Sequence, residues 1–119
     1  MPVTFTLHRS GLLESKSLST NQCRSVGHDR YWYEAEVHAG PRLDDDGFIV
    51  DHATVNEVAQ TAFGKGMTSC EMIGERCARA IMEACESHGT EVSRVVFRIG
   101  PVVEGDRVRK AFMEVTLTK

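Results

Sequence analysis

The side chains best suited to chemistry are His8, Cys23 and His28, the last inside Gly27-His28. A zinc ion takes imidazole and thiolate ligands, about three of them with an open position when it is catalytic. Histidines on neighbouring strands can converge on such an ion; two of them with nothing further are also what an ordinary polar strand face carries. Cys23 lies in a polar stretch, so it is the cysteine most open to reaction. Beside His28 or a metal its thiolate would be favoured and could serve as base or nucleophile. If Cys23 instead completes the ligand set with His8 and His28, it is no longer free to be the base, so the two roles compete.

Carboxylates come next. Glu71 is the fourth residue of Thr68-Ser69-Cys70-Glu71, the spacing of a capping box. A carboxylate at a helix N-terminus can also accept paired hydrogen bonds from the N–H and amino groups of a guanidine-like ring edge. Asp51-His52 reads either as a proton-relay pair or as an N-cap followed by a partly exposed imidazole. Glu104, in Gly100-Pro101-Val102-Val103-Glu104-Gly105-Asp106, sits in a strand connection from which it could face a ligand.

Strands and helices must position these groups. Residues 3 to 8 alternate, with Val3, Phe5 and Leu7 opposite Thr4, Thr6 and His8, as in a half-buried strand. A polar stretch from about Ser10 to Arg30 reads as a long loop. From Tyr31 the alternation returns, Tyr31, Tyr33, Ala35 and Val37 opposing Trp32, Glu34, Glu36 and His38. Pro41 and Asp44-Asp45-Asp46-Gly47 break this strand with a turn, and Phe48, Ile49 and Val50 make a short apolar bridge. Asp51 caps a helix over about residues 52 to 63, ended by Gly64-Lys65-Gly66. A second helix opens at Thr68 and runs to Gly89 on a narrow stripe of small residues, which predicts close packing. Cys70, Cys77 and Cys85 fall on this helix and read as packing residues. Strands over 92 to 99 and 111 to 118 complete the order strand, strand, helix, helix, strand, strand. That order predicts an α+β fold, an antiparallel four-stranded sheet with both helices on one face. The other face carries His8, Glu34, Glu36, His38, Arg94, Arg98 and Glu114, either as a wet surface or as one that meets other subunits or lines a cavity.

Composition sets limits on function. The 119 residues carry 14 Lys+Arg against 17 Asp+Glu, a formal charge of −3 without a basic stripe, which argues against nucleic acid as a partner. The length suits one domain, 1–119, with little room for a separate cofactor domain. No internal repeat or apolar run long enough for a bilayer is present, and the N-terminus does not read as a signal peptide. A cytoplasmic protein with reduced thiols and no membrane partner is therefore expected, because the four cysteines show no Cys-x-x-Cys pairing.

Phe5-x-x-His8, Cys23, Gly27-His28-Asp29, Val37-His38-Ala39-Gly40, Gly47-Phe48-Ile49-Val50-Asp51 and Thr68-Ser69-Cys70-Glu71 together resemble the 6-pyruvoyl-tetrahydropterin and 6-carboxytetrahydropterin synthase family. The resemblance implies the tunnelling fold, whose subunits assemble through their sheets into a barrel with pterin-type ligands at subunit interfaces. It also implies zinc on His8 and His28, with Cys23 as the thiol base. The family writes His-Gly-His-Asn where this chain has Val26-Gly27-His28-Asp29, so one ligand position is changed, and the segment carrying the family's Asp-His pair is absent. Val50-Asp51-His52-Ala53-Thr54-Val55 and Cys70-Glu71-Met72-Ile73-Gly74-Glu75 look similar to dihydroneopterin aldolase, in which a Glu at the Glu71 position grips the pterin. There the catalytic Lys expected just before Pro101 is Gly100, and the Tyr after the Asp is His52.

The expectation is thus a tunnelling-fold homo-oligomer, a tetramer or hexamer, that binds a pterin-type or purine-like heterocycle between subunits. Cys23 and His52 are the candidate catalytic residues, Glu71 and Glu104 the candidate ligand contacts, and His8 and His28 the candidate zinc ligands. The leading activity is a lyase of the 6-pyruvoyl-tetrahydropterin synthase type. The alternatives are an aldolase or epimerase like dihydroneopterin aldolase, or a catalytically silent relative with a structural or ligand-binding role.

Overall fold

The computed structural model describes residues 3–14, 30–63, 69–102 and 112–119. Strands β1 (Phe5–Glu14) and β2 (Arg30–Ala39) precede helices α1 (His52–Ala62) and α2 (Cys70–Ser87), and β3 (Val92–Pro101) and β4 (Met113–Thr118) follow. The strands form one antiparallel sheet in the order β1-β2-β3-β4, so the outer edges of β1 and β4 pair with no other described strand. Both helices cover one face. α1 packs on β1 and α2, and α2 packs on β3 and β4.

Alternation builds this core. Tyr31, Tyr33, Ala35 and Val37 of β2 and Val95, Phe97 and Ile99 of β3 are buried beneath the helices, as their period of two requires. Tyr33 stacks on Phe97 with ring centroids 5.3 Å apart, and Tyr31 meets Phe63 edge-on at 5.5 Å. The expected close approach of α2 occurs at Gly74, where a Cβ would stand 2.8 Å from Val115 Cγ2.

Three boundaries differ from the sequence reading. β1 continues through Ser10 to Glu14, because Arg9 and Gly11 take the helix-facing positions where apolar residues were expected. Gly11 is there for space, since a Cβ would lie 2.9 Å from Asn56 Oδ1 and from the Tyr33 ring. It lets the Tyr33 hydroxyl donate to Asn56 Oδ1 at 2.7 Å, tying β2 to α1. At α2 the N-cap is Ser69, whose Oγ accepts from the Met72 N–H at 3.2 Å. Glu71 is therefore one residue short of the capping-box position and lies in the first turn as an exposed carboxylate. Among the cysteines, Cys77 and Cys85 are buried and free as expected, and burial pushes their thiols up to about 12 and about 11. Cys70 is disulfide-bonded, contrary to the expectation of reduced thiols throughout.

Candidate ligand site

The two sheet faces have different chemistry. Away from the helices, Glu36 Oε2 accepts from Arg98 Nη1 at 2.5 Å, and Arg98 Nε donates to Glu114 Oε1 at 2.7 Å. Glu36 Oε1 lies 3.1 Å from His38 Nε2, while His38 Nδ1 lies 3.2 Å from Thr6 Oγ1. Arg94 Nη2 also lies 3.3 Å from His38 Nε2, so a carboxylate and a guanidinium meet at one ring nitrogen. The Arg98 hydrogen bond holds the Glu36 carboxyl below the usual carboxylate range, with His38 adding to the effect against partial burial. His8 pairs across the strands with Glu36 and adds a further electrostatic pull on it. This face is a cross-strand charge ladder, more connected than a merely wetted surface.

At the free edge of β1 the chemistry changes. A depression of about 460 Å³ is walled by Phe5 and Leu7 of β1 and by Leu43, Phe48 and Val50 of the connection before α1. His8 and His52 also line it. They reach it from different sides, His8 from the charged face of an edge strand and His52 from the start of α1. The volume suits a small aromatic ligand, and an apolar wall with few polar groups is the usual make-up of such a site. Asp51 acts as N-cap, its Oδ1 accepting from the Ala53 N–H at 2.9 Å, so the N-cap reading holds rather than a relay pair.

Glu71 lies elsewhere. Thr90, just beyond the C-terminal end of α2, donates from Oγ1 to the Ile49 carbonyl at 2.6 Å, which fixes that end beside the depression. Glu71 is at the other end of the same helix, about 27 Å away for 18 residues at 1.5 Å each. It makes no hydrogen bond or ion pair among the described residues. Cys23, His28 and Glu104 lie outside the described residues. No three His, Cys, Asp or Glu side chains converge among the described residues, and His8 is the one described member of the expected zinc set.

Two features were not read from the sequence as functional. Phe48, taken as part of an apolar bridge, is 62% exposed and stands in the wall of the depression. Gly100, where the resemblance puts a lysine, lies under the Trp32 indole, and a Cβ there would be 2.8 Å from Trp32 Cε2. The cross-strand pairing Trp32↔Gly100 is the signal for this arrangement, since a glycine opposite a large aromatic makes room for its ring.

Sheet order, the two helices on one face and the ββααββ sequence of elements define the tunnelling-fold class of α+β proteins. The fold is that of a dihydroneopterin aldolase from Burkholderia thailendensis whose structure was solved bound to guanine, at a TM-score of 0.63 and 12% identity, covering 99% of this chain and 92% of that one. A 6-pyruvoyl tetrahydropterin synthase from Plasmodium vivax matches at 0.54 and 9% identity, covering 100% and 99%. No protein-family model and no curated protein matches the sequence. No helix among the described residues is long and apolar enough to cross a membrane.

Proposed function

We propose that this chain binds a pterin-type or related purine-like heterocycle at sites shared between copies of itself. The observation that carries the reading is the separation of two complementary halves. An apolar depression with two imidazoles sits at one end of α2, and a carboxylate without a partner among the described residues sits about 27 Å away at the other. Neither half suffices. The depression offers a ring its faces and His8 and His52 as hydrogen-bonding or proton-carrying groups, but among the described residues no anion for the amino edge. Glu71 offers that anion without a wall. Bringing Glu71 of a second copy to the depression completes the set, and the edges of β1 and β4 that no described strand covers are where copies would join. Guanine, held by the structurally similar aldolase, belongs to the same ring class.

The activity proposed first is a lyase acting on a pterin side chain, with His52 moving a proton. A catalytically silent binder is the second reading, and the roofing of Gly100 by Trp32 counts against aldolase-type chemistry, because no lysine fits there without displacing the indole. Titration calorimetry with guanine and with pterin tests the binding. The wild type binds, and Glu71→Gln weakens the affinity about tenfold or more, the range for a hydrogen bond to a charged group. Failure of the wild type to bind either ring overturns the reading. Turnover of dihydroneopterin, lost in His52→Ala, separates enzyme from silent binder, and zinc content compared between wild type and His8→Ala tests the metal.

A further inference from the structure

We propose that Phe48 is the specificity-determining residue of the depression at the β1 edge, its ring stacking on the face of a bound planar heterocycle. This rests on the heterocycle-binding reading above and names the residue that would select for flatness.

An exposed phenylalanine by itself is unremarkable, since folded surfaces carry many apolar atoms. The backbone around Phe48 sets it apart. The Phe48 N–H donates to Asp44 Oδ1 at 2.8 Å, and the Phe48 carbonyl accepts from the Asp44 N–H at 2.9 Å. The same Asp44 oxygen accepts from the Asp46 N–H at 3.0 Å, and the Gly47 N–H donates to the Asp44 carbonyl. Gly47, at φ 83°, supplies the left-handed turn that closes this loop. One residue further on, the Ile49 carbonyl is held by the buried Thr90 hydroxyl. Both backbone polar groups of Phe48 are thus engaged, and Ile49 and Val50 turn into the core, yet the Phe48 ring stays 62% exposed. A segment outside helix or strand has been fixed by five hydrogen bonds with its largest side chain facing outward.

The ring faces a depression whose other walls include Phe5, itself 40% exposed, and whose polar side chains are His8, His52 and Thr6. A flat heteroaromatic matches both features, with π-faces for Phe48 and ring-edge donors and acceptors for His8 and His52. A rigid aromatic held in position before binding loses little entropy on contact, which is where a preorganised loop gains affinity. Base-on-aromatic stacking is sequence-tolerant but demands planarity.

The test is calorimetric titration of guanine into wild type, Phe48→Ala, Phe48→Leu and Phe48→Tyr, with Glu71→Gln alongside. Phe48→Ala and Phe48→Leu are expected to weaken binding roughly five- to hundredfold, and Phe48→Tyr to leave it within about threefold. Melting temperatures of all three should stay near wild type because the ring is exposed. Phe48→Trp adds a spectroscopic signature: indole emission quenched by guanine beyond any change that Trp32 gives in the wild type. Asp44→Ala, which frees the loop, should weaken binding several-fold, and Asp44→Asn, which keeps the acceptor oxygen, should restore it. If Phe48→Ala and Phe48→Leu bind guanine as the wild type does while Glu71→Gln loses it, stacking is overturned and heterocycle binding stands. Full affinity in Phe48→Leu with loss in Phe48→Ala also overturns stacking, leaving an unspecific apolar contact. A wild type that binds neither guanine nor pterin overturns both proposals together.

Discussion

Glu36 illustrates how much one residue on the charged sheet face is asked to hold. Its two oxygens meet Arg98 and His38, and Arg98 continues to Glu114, so a single carboxylate couples β2 to β3 and, through the guanidinium, to β4. Because the folded Glu36 carboxyl is held down, chiefly by Arg98, it releases its proton more readily folded than unfolded. Its stabilisation is therefore complete above the ordinary glutamate value of about 4.3 and is lost as pH falls through the lower folded value. Thermal melts from pH 7 to pH 3 check this: Glu36→Gln should melt lower than wild type at neutral pH, and the two curves should converge in acid. Parallel curves would show that the ladder contributes nothing through ionisation. Gly100 makes a sharper residue-scale case. Its missing Cβ is the space occupied by the Trp32 indole, which also meets Phe112 edge-on at 5.5 Å. Gly100→Ala should cost about 1–3 kcal/mol, the range for overpacking, measured by chemical denaturation. Gly100→Ala should cost less when made in a Trp32→Ala background, since that change vacates the space.

At the scale of elements, the N-terminus of α2 decides what Glu71 is for. With Ser69 as the cap, Ser69→Ala should destabilise the protein by about 1 kcal/mol in denaturant titrations. Glu71→Gln should cost only a few tenths of a kcal/mol from the first-turn charge. A large stability loss on Glu71→Gln would return that residue to a capping role and weaken its place in ligand binding. Two adjacent hydroxyl residues, Thr68 and Ser69, cannot be told apart as caps by spacing, and this one-residue ambiguity separated a structural Glu71 from an available one. Elsewhere, strands with clean alternation were legible: β2 and β3 emerge where Tyr31–Val37 and Val95–Ile99 predict them. The second half of β1 was not legible, because Arg9 and Gly11 occupy inward positions for reasons that lie in Asn56 and Tyr33, far away in sequence. The site was legible in part. His8 and His52 were readable as candidates, but their meeting at one depression depends on the edge position of β1. Phe48 reads in the sequence as one of three residues of an apolar bridge, and the Asp44 clamp that turns it outward is a matter of loop geometry.

For the whole molecule, the proposed shared site requires assembly, and the sheet has two edges that no described strand covers. β1 offers ten residues and β4 six on edges that no described strand covers, the arrangement through which strands of other copies add. Native mass measurement should find an oligomer, and a monomer at micromolar concentration would refute the shared site. Oligomerisation is necessary for that site but does not establish it, so the decisive experiment is subunit mixing. His52→Ala removes an imidazole from the depression, and Glu71→Gln removes the distant carboxylate. If both residues served a site within one chain, every chain in a mixture would carry one defect, and co-refolding the two variants would restore no tight guanine binding. If the site spans two copies, random 1:1 assembly places an intact depression beside an intact Glu71 in roughly a quarter of the interfaces. Calorimetry on the co-refolded mixture should then report about a quarter of the wild-type number of tight sites, at wild-type affinity, while each variant refolded alone reports none. The stoichiometry rather than the affinity carries the answer, because a weakened intrachain site would lower affinity across all chains without creating a tight subset.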